Sequence, residues 1–197
     1  EDGFELKYGI FYRFCQKAAN QPDKEFFFII DEINRGNMSK IFGELLMLIE
    51  KDYRGTKMTL AYNGLPFSVP KNLYIIGMMN TADRSLAMLD YALRRRFSFF
   101  TMKPGFNTPG FQAYQDSLKN DAFNKLIACV KQLNSKIAED ISLGEGFCIG
   151  HSYFCGLTPE TANTQTLSSI VEYELIPLLK EYWFDEPAKI VDWSDRL

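Results

Sequence analysis

The sequence is poor in the residues that build metal cages and disulfide frameworks. It has one histidine, His151, and four cysteines, Cys15, Cys129, Cys148 and Cys155, with no C-x-x-C spacing among them. That argues against a zinc site and for reduced thiols in a cytoplasm. No apolar run approaches the roughly 18 residues needed to span a bilayer, and no signal-like segment heads the chain. No membrane partner is expected. A basic excess is also missing: 22 Lys and Arg against 25 Asp and Glu leave a net charge of −3, so no global positive field advertises nucleic acid. Internal repeats and low-complexity tracts are absent. So is the dipeptide Gly-Lys, on which the phosphate-cradling loop G-x-x-x-x-G-K-[ST] depends. Gly144-x-Gly146-x-x-x-Gly150 has the wrong spacing and precedes no lysine.

What is present is ample material for a core: 46% hydrophobic and 15% aromatic residues, which argues against disorder. Phe26–Ile30 is an unbroken apolar run that reads as a strand buried on both faces, as in a parallel sheet with helices on either side. Before it, Ile10, Phe11, Phe14, Cys15 and Ala18 share one helical stripe. After it, Asn37 or Ser39 can cap a second helix carrying Ile41, Phe42, Leu45, Leu46, Leu48 and Ile49, with Gly55 suited to its exit. Met58–Tyr62 and Leu65–Val69 flank Asn63-Gly64, a hairpin signal for a two-residue turn. Pro66 and Pro70 demote the second arm to an edge or an isolated ribbon. Leu73–Met79 reads as another buried strand, Ser85 as the cap of a short helix through Leu86, Leu89 and Ala92, and Phe97–Thr101 as a short strand.

Beyond Pro104-Gly105 the texture changes. Residues Phe106–Pro109 read as a linker, followed by helices near Ala122–Ile137 and Ser168–Phe184, the second kinked at Pro177. A glycine-rich aromatic loop, Gly144–Gly156, lies between them. The expectation is an α/β core over 1–104 and a helical subdomain over 105–197.

The chemistry-bearing residues gather at strand ends. Asp31-Glu32 follows the first apolar strand, and Asn80 follows the second. Parallel pairing would bring all three to one sheet edge, where open α/β sheets place their ligands. Two acids after an apolar strand form the Walker B pattern of nucleoside triphosphatases, in which the first holds Mg²⁺ and the second activates water. Taken singly, each feature has a plainer reading. The acids could be a solvated strand end, Asn80 a turn residue, and Arg94-Arg95-Arg96 a basic face with one ion pair. His151 could be structural, and Tyr182-Trp183-Phe184 helical core. Lys57 and the hairpin could meet a pore, a nuclease subunit or nothing.

The segments IIDEINRGNMSKIFGELLMLIEKDYRG and VPKNLYIIGMMNTADRSLAMLDYALRRRFSF, with Met79–Ser85 as the most distinctive part, resemble the McrB family. These are GTP-hydrolysing AAA+ motors of methylation-dependent restriction systems. Ile149–Phe154 resembles the family too. The resemblance implies part of an AAA+ αβα sandwich followed by a small helical lid. It assigns Asp31 to Mg²⁺, Glu32 to the water, and Asn80 to the sensor. Asp83 and Arg84 would organise the signature loop, Arg95 or Arg96 would serve as an arginine finger, and Arg35 would face a neighbour's nucleotide. His151 would lie in the lid over the nucleotide side. The implied nucleotide is GTP, with ATP open. The implied partners are further copies in a ring, hexameric by resemblance, and a McrC-like endonuclease, with DNA read by a separate domain. A chain that opens Glu1-Asp2-Gly3 and lacks the phosphate loop is expected to be a fragment, itself inactive, of an active hydrolase. Two other functions stay open: a remodelling ATPase of the MoxR or dynein-related branch, and a non-catalytic assembly module. The Asn80–Ser85 signature weighs against the first.

Overall fold

A computed structural model describes residues 7–61, 63–80, 82 and 91–197. It divides into two compact units, residues 1–100 and 101–197.

In the first unit, α1 (Ile10–Ala19) precedes β1 (Phe26–Ile30), which pairs in parallel with β4 (Leu73–Gly77). The register sets Phe26 beside Leu73 and Ile30 beside Gly77. Helix α1 covers one face: Phe11 meets Phe28 edge-on at 5.1 Å, and Phe14 meets Phe26 at 5.8 Å. Asn72 bolts helix and sheet together, its amide nitrogen donating to the carbonyls of Ala18, Gln21 and Lys24. The expectation that β1 is buried on both faces is corrected. Phe27, Ile29, Tyr74 and Ile76 are exposed on the other face, where Phe27 and Tyr74 stack at 5.3 Å. An all-apolar strand needs two covering layers, and the described residues supply one.

The second helix is also shorter than its apolar spacing predicts. Asn37 caps α2 (Met38–Phe42), its Oδ1 accepting from the Lys40 amide at 2.9 Å. At Gly43 the backbone turns to φ +49 and the chain continues as a 3₁₀ turn over Gly43–Leu46. Glycine allows that break because it carries no Cβ. The hairpin strands β2 (Met58–Thr59) and β3 (Pro66–Phe67) form a separate antiparallel ribbon. Leu60 N donates to Leu65 O, so the connection is longer than the two residues expected. The Asn63 side chain accepts from the Leu65 amide, which favours this longer turn. Helix α3 (Tyr91–Arg94) follows. The expected cap at Ser85 lies outside the described residues. The strand expected at 97–101 does not form: Phe99 and Phe100 are exposed and pair with no strand among the described residues.

The second unit is helical. The stretch read as a linker is part of its core, since Phe106 is buried and packs edge-on against Phe111 at 5.2 Å. Thr108 caps α4 (Pro109–Leu118), and Asn120 caps α5 (Asp121–Glu139). Phe123, Ile127, Val130, Leu133 and Ile137 of α5 are fully buried, the 3–4 spacing of a helix with one face in a core. Helix α6 (Thr164–Ile170) runs through a π turn, Val171–Leu175, into α7 (Ile176–Tyr182). Pro177 has no amide hydrogen for the preceding turn, and the widened backbone absorbs that loss. Helix α8 (Pro187–Arg196) closes the unit. Trp183 is buried and Tyr182 half-buried, so they belong to the core, while Phe184 is exposed.

Asp140, just past α5, ties the helical unit together. Its Oδ1 accepts from the amide and hydroxyl of Ser142, and its Oδ2 accepts from Trp183 Nε1 at 2.9 Å and Lys189 Nζ at 3.1 Å. These bonds, the Ser142 hydroxyl first among them, hold its carboxyl well below the usual carboxylate range.

Candidate functional site

The first unit's parallel register decides what meets at the sheet edge. Since Ile30 lies beside Gly77, both strands end at one edge. Asp31 follows β1 directly, and Asn80 comes three residues after β4. Met78 N donates to Ile30 O at 2.8 Å, and Ile33 N donates to Met78 O at 2.9 Å, so the two strand exits stay stitched beyond the sheet. Ile33 is buried and anchors the turn that carries the acids.

Asp31 and Glu32 are exposed. The Glu32 amide donates to Asp31 Oδ1 at 2.9 Å. Glu32 itself has φ +49, a left-handed conformation that non-glycine residues seldom adopt and that clusters at functional sites. Arg35 closes the turn: its amide donates to Glu32 O, and its Nε pairs with Glu32 Oε2 at 2.7 Å. The buried Oδ1 of Asn34 has no hydrogen-bond partner among the described residues, a signal that composition could not reveal. Asn80 Oδ1 accepts from the Ala82 amide at 3.0 Å. Asp83 and Arg84 lie outside the described residues.

The three arginines part ways. Arg94 lies 5.7 Å from the centre of the Phe99 ring. Arg96 is half-buried, pairing with Glu50 Oε1 at 2.7 Å and donating to Leu46 O at 3.1 Å. Arg95 is exposed. With Glu50, Tyr91 and Arg96 it lines a hollow of about 400 Å³.

His151 belongs to the second unit. Its Nδ1 accepts from the Gly105 amide at 2.9 Å, and its ring meets Phe111 edge-on at 5.7 Å. A Cβ at Gly105 would stand 2.9 Å from His151 Cε1, so a glycine is required for this approach.

No cluster of three or more acidic, histidine or cysteine side chains suited to a metal occurs among the described residues. The donor set fits a cation of the Mg²⁺ kind, which is held by one or two carboxylates with waters and substrate phosphates rather than by a protein cage. Asp31, exposed at the end of β1, is a carboxylate that could hold such an ion. No helix among the described residues is long and apolar enough to cross a membrane.

A parallel sheet with paired acids and an amide following its strands at one edge, and a helical unit after it, is consistent with part of an AAA module and its lid. The family described as "AAA domain (dynein-related subfamily)" matches residues 1–97, and "McrB, alpha-helical lid domain" matches residues 125–191. The Type IV methyl-directed restriction enzyme EcoKMcrB subunit of Escherichia coli (strain K12) is 51% identical over 205 residues, covering 99% of this chain and 45% of the relative. The Type II restriction enzyme BsuMI component YdiS of Bacillus subtilis (strain 168) is 30% identical over 152 residues, covering 66% of this chain and 44% of the relative. The chain belongs to the McrB family. It spans a little under half the length of these curated relatives.

Proposed function

We propose that this chain is the Walker B, sensor and lid portion of a nucleoside triphosphatase motor in a McrB-type restriction system. The nucleotide is GTP by family resemblance, with ATP as the alternative. The observation that carries this reading is the parallel register that ends β1 and β4 at one edge, with Asp31, Glu32 and Asn80 following.

Hydrolysis also needs a phosphate-binding loop, and these 197 residues contain no Gly-Lys. The reading therefore applies to a polypeptide that supplies one, and the chain alone is inactive. Bound Mg²⁺ would neutralise charge on the transferring phosphoryl group, and Asp31 would hold it. Glu32 takes the proton of the attacking water. Asn80 orients that water, and Asp83 and Arg84 organise the loop after it. An exposed arginine of the 94–96 run, Arg95, reaches a neighbouring copy's nucleotide in a ring. His151 keeps the Gly105 end of the lid in place. The motor drives a McrC-like endonuclease in the cytoplasm, with modified DNA read by a separate domain. The match of residues 1–97 to a dynein-related AAA description keeps a remodelling ATPase in view, and the lid match over 125–191 favours the restriction reading.

The test uses residues 1–197 joined to a phosphate loop. Glu32→Gln should bind nucleotide and fail to turn it over, because an amide cannot accept the proton. Asp31→Asn should weaken Mg²⁺-dependent binding. Near-normal hydrolysis by Glu32→Gln would remove Glu32 from the reaction and the proposal with it.

A further inference from the structure

We infer that Arg35 is a positioning residue for Glu32 of its own chain, rather than a contact to a neighbour's nucleotide. The inference rests on the proposed role of Glu32 as the base for water. Its observations lie in one turn. After β1 ends at Ile30, the Asp31 carboxylate takes the Glu32 amide, and Glu32 swings to φ +49. The Arg35 amide returns to the Glu32 carbonyl at 2.9 Å, and Arg35 Nε meets Glu32 Oε2 at 2.7 Å. Between them Ile33 is buried and bonded to Met78 O, so the turn is held to the neighbouring strand. Glu32 and Arg35 therefore face each other across a turn that is itself anchored.

The pair has little value as a device for stability. Its side chains are 55% and 49% exposed, and solvent screens such pairs. Its value lies in direction. A glutamate on an open strand tip has several rotamers, and a base for water needs one of them, since a small misplacement of a catalytic group is costly in rate. In the reaction, the water oxygen bonds to the γ-phosphorus and its proton passes to the Glu32 carboxylate. The bridging P–O bond breaks, and the nucleoside diphosphate leaves with the electron pair. Arg35 exchanges no proton, because a guanidinium stays charged. It holds the carboxylate that does.

Turnover in a polypeptide joining this chain to a phosphate loop tests the inference. Arg35→Ala should lower kcat by roughly ten- to a hundredfold with KM little changed, and Arg35→Lys should recover part of the loss. Mixing Arg35→Ala with Glu32→Gln subunits should recover nothing, because every subunit then lacks one half of a pair that works within a chain. Recovery on mixing would place Arg35 in a neighbour's site and overturn the inference, as would a wild-type kcat for Arg35→Ala. Glu32→Gln assayed by itself separates the two readings. If it turns over, the base assignment fails and Arg35 has nothing to position. If it is dead and mixing recovers activity, only the Arg35 inference fails.

Discussion

Gly77 ends β4 directly against Ile33. A Cβ on Gly77 would stand 2.6 Å from Ile33 Cδ1 and 3.2 Å from Cγ2. Ile33 is buried and holds the turn bearing Asp31 and Glu32. Gly77→Ala must push it aside, and overpacking of this kind costs about 1–3 kcal/mol. A urea titration of the 197-residue chain should show the midpoint falling accordingly. Ile33→Val in the same background should relieve part of the loss, a coupling expected of residues in contact. Strictly additive effects would mean that the two do not press on each other.

Asp140 carries a pH dependence for the helical unit. Its carboxyl is depressed by hydrogen bonds from Ser142 and Trp183 and by Lys189. A carboxyl that ionises more readily folded than unfolded adds stability above its unfolded value, about 3.9. That contribution disappears as pH falls toward the folded value. Stability should therefore decline from about pH 4 downward. Asp140→Asn should be less stable at pH 7 and show a shallower decline in acid, as followed by Trp183 fluorescence in denaturant. An unchanged pH profile in that variant would move the acid sensitivity to other groups.

How much of this could be read from the sequence depends on whether a signal is local. Asp31-Glu32 and Asn80 were legible because each directly follows an apolar run, and parallel pairing needed only two such runs. The Asn37 cap and the Pro177 irregularity were legible for the same reason. The single covered face of β1 was not, because Phe26–Ile30 states what the strand tolerates and not which layers its chain supplies. Gly43 hid inside a good helical stripe, so the break of α2 was missed. Phe106 sat among Pro104, Gly105 and Pro109, which look like linker, while its ring fills the lid core. The Arg35–Glu32 pair was missed because i, i+3 charges are ordinary on a helix, and only the turn geometry gives this one meaning. Asp140 gave no local signal, since its partners Trp183 and Lys189 lie more than forty residues away.

The cysteines should differ sharply in reactivity. Cys15 lies on the buried face of α1, and burial pushes its thiol up to about 12 despite the nearby Arg54 charge. Burial also raises Cys129 and Cys148. Cys155 is exposed. Because the thiolate is the reactive form, iodoacetamide at pH 8 should label Cys155 first and Cys15 only after unfolding. Mass spectrometry of peptides from a time course reads the order directly. Early labelling of Cys15 would mean that α1 opens far more often than its packing against Phe26 and Phe28 implies.

Arg95 and Arg96 should separate by the kind of damage their loss causes. Arg96 is half-buried, with its guanidinium shared between the Glu50 carboxylate and the Leu46 carbonyl. Removing it leaves Glu50 and that carbonyl short of a donor, so Arg96→Ala should destabilise the chain by about 1–3 kcal/mol. Glu50→Gln should act in the same direction. Arg95 is exposed on the same hollow, and a surface substitution there should change stability by no more than about 0.5 kcal/mol. Hydrolysis should show a different asymmetry. A finger that neutralises charge on a neighbour's phosphoryl group is worth roughly 10³-fold or more, so Arg95→Ala should abolish most turnover by a folded, nucleotide-binding protein. Arg96→Ala should lose turnover only as far as it loses fold, and conditions that restore its stability should restore its rate. Mixing Arg95→Ala with Glu32→Gln subunits should then regain part of the activity, since some interfaces pair an intact Glu32 with an intact Arg95. Equal destabilisation by both arginine variants would show that Arg95 is held as firmly as Arg96. Normal turnover by Arg95→Ala would return the run to a basic surface carrying one structural ion pair.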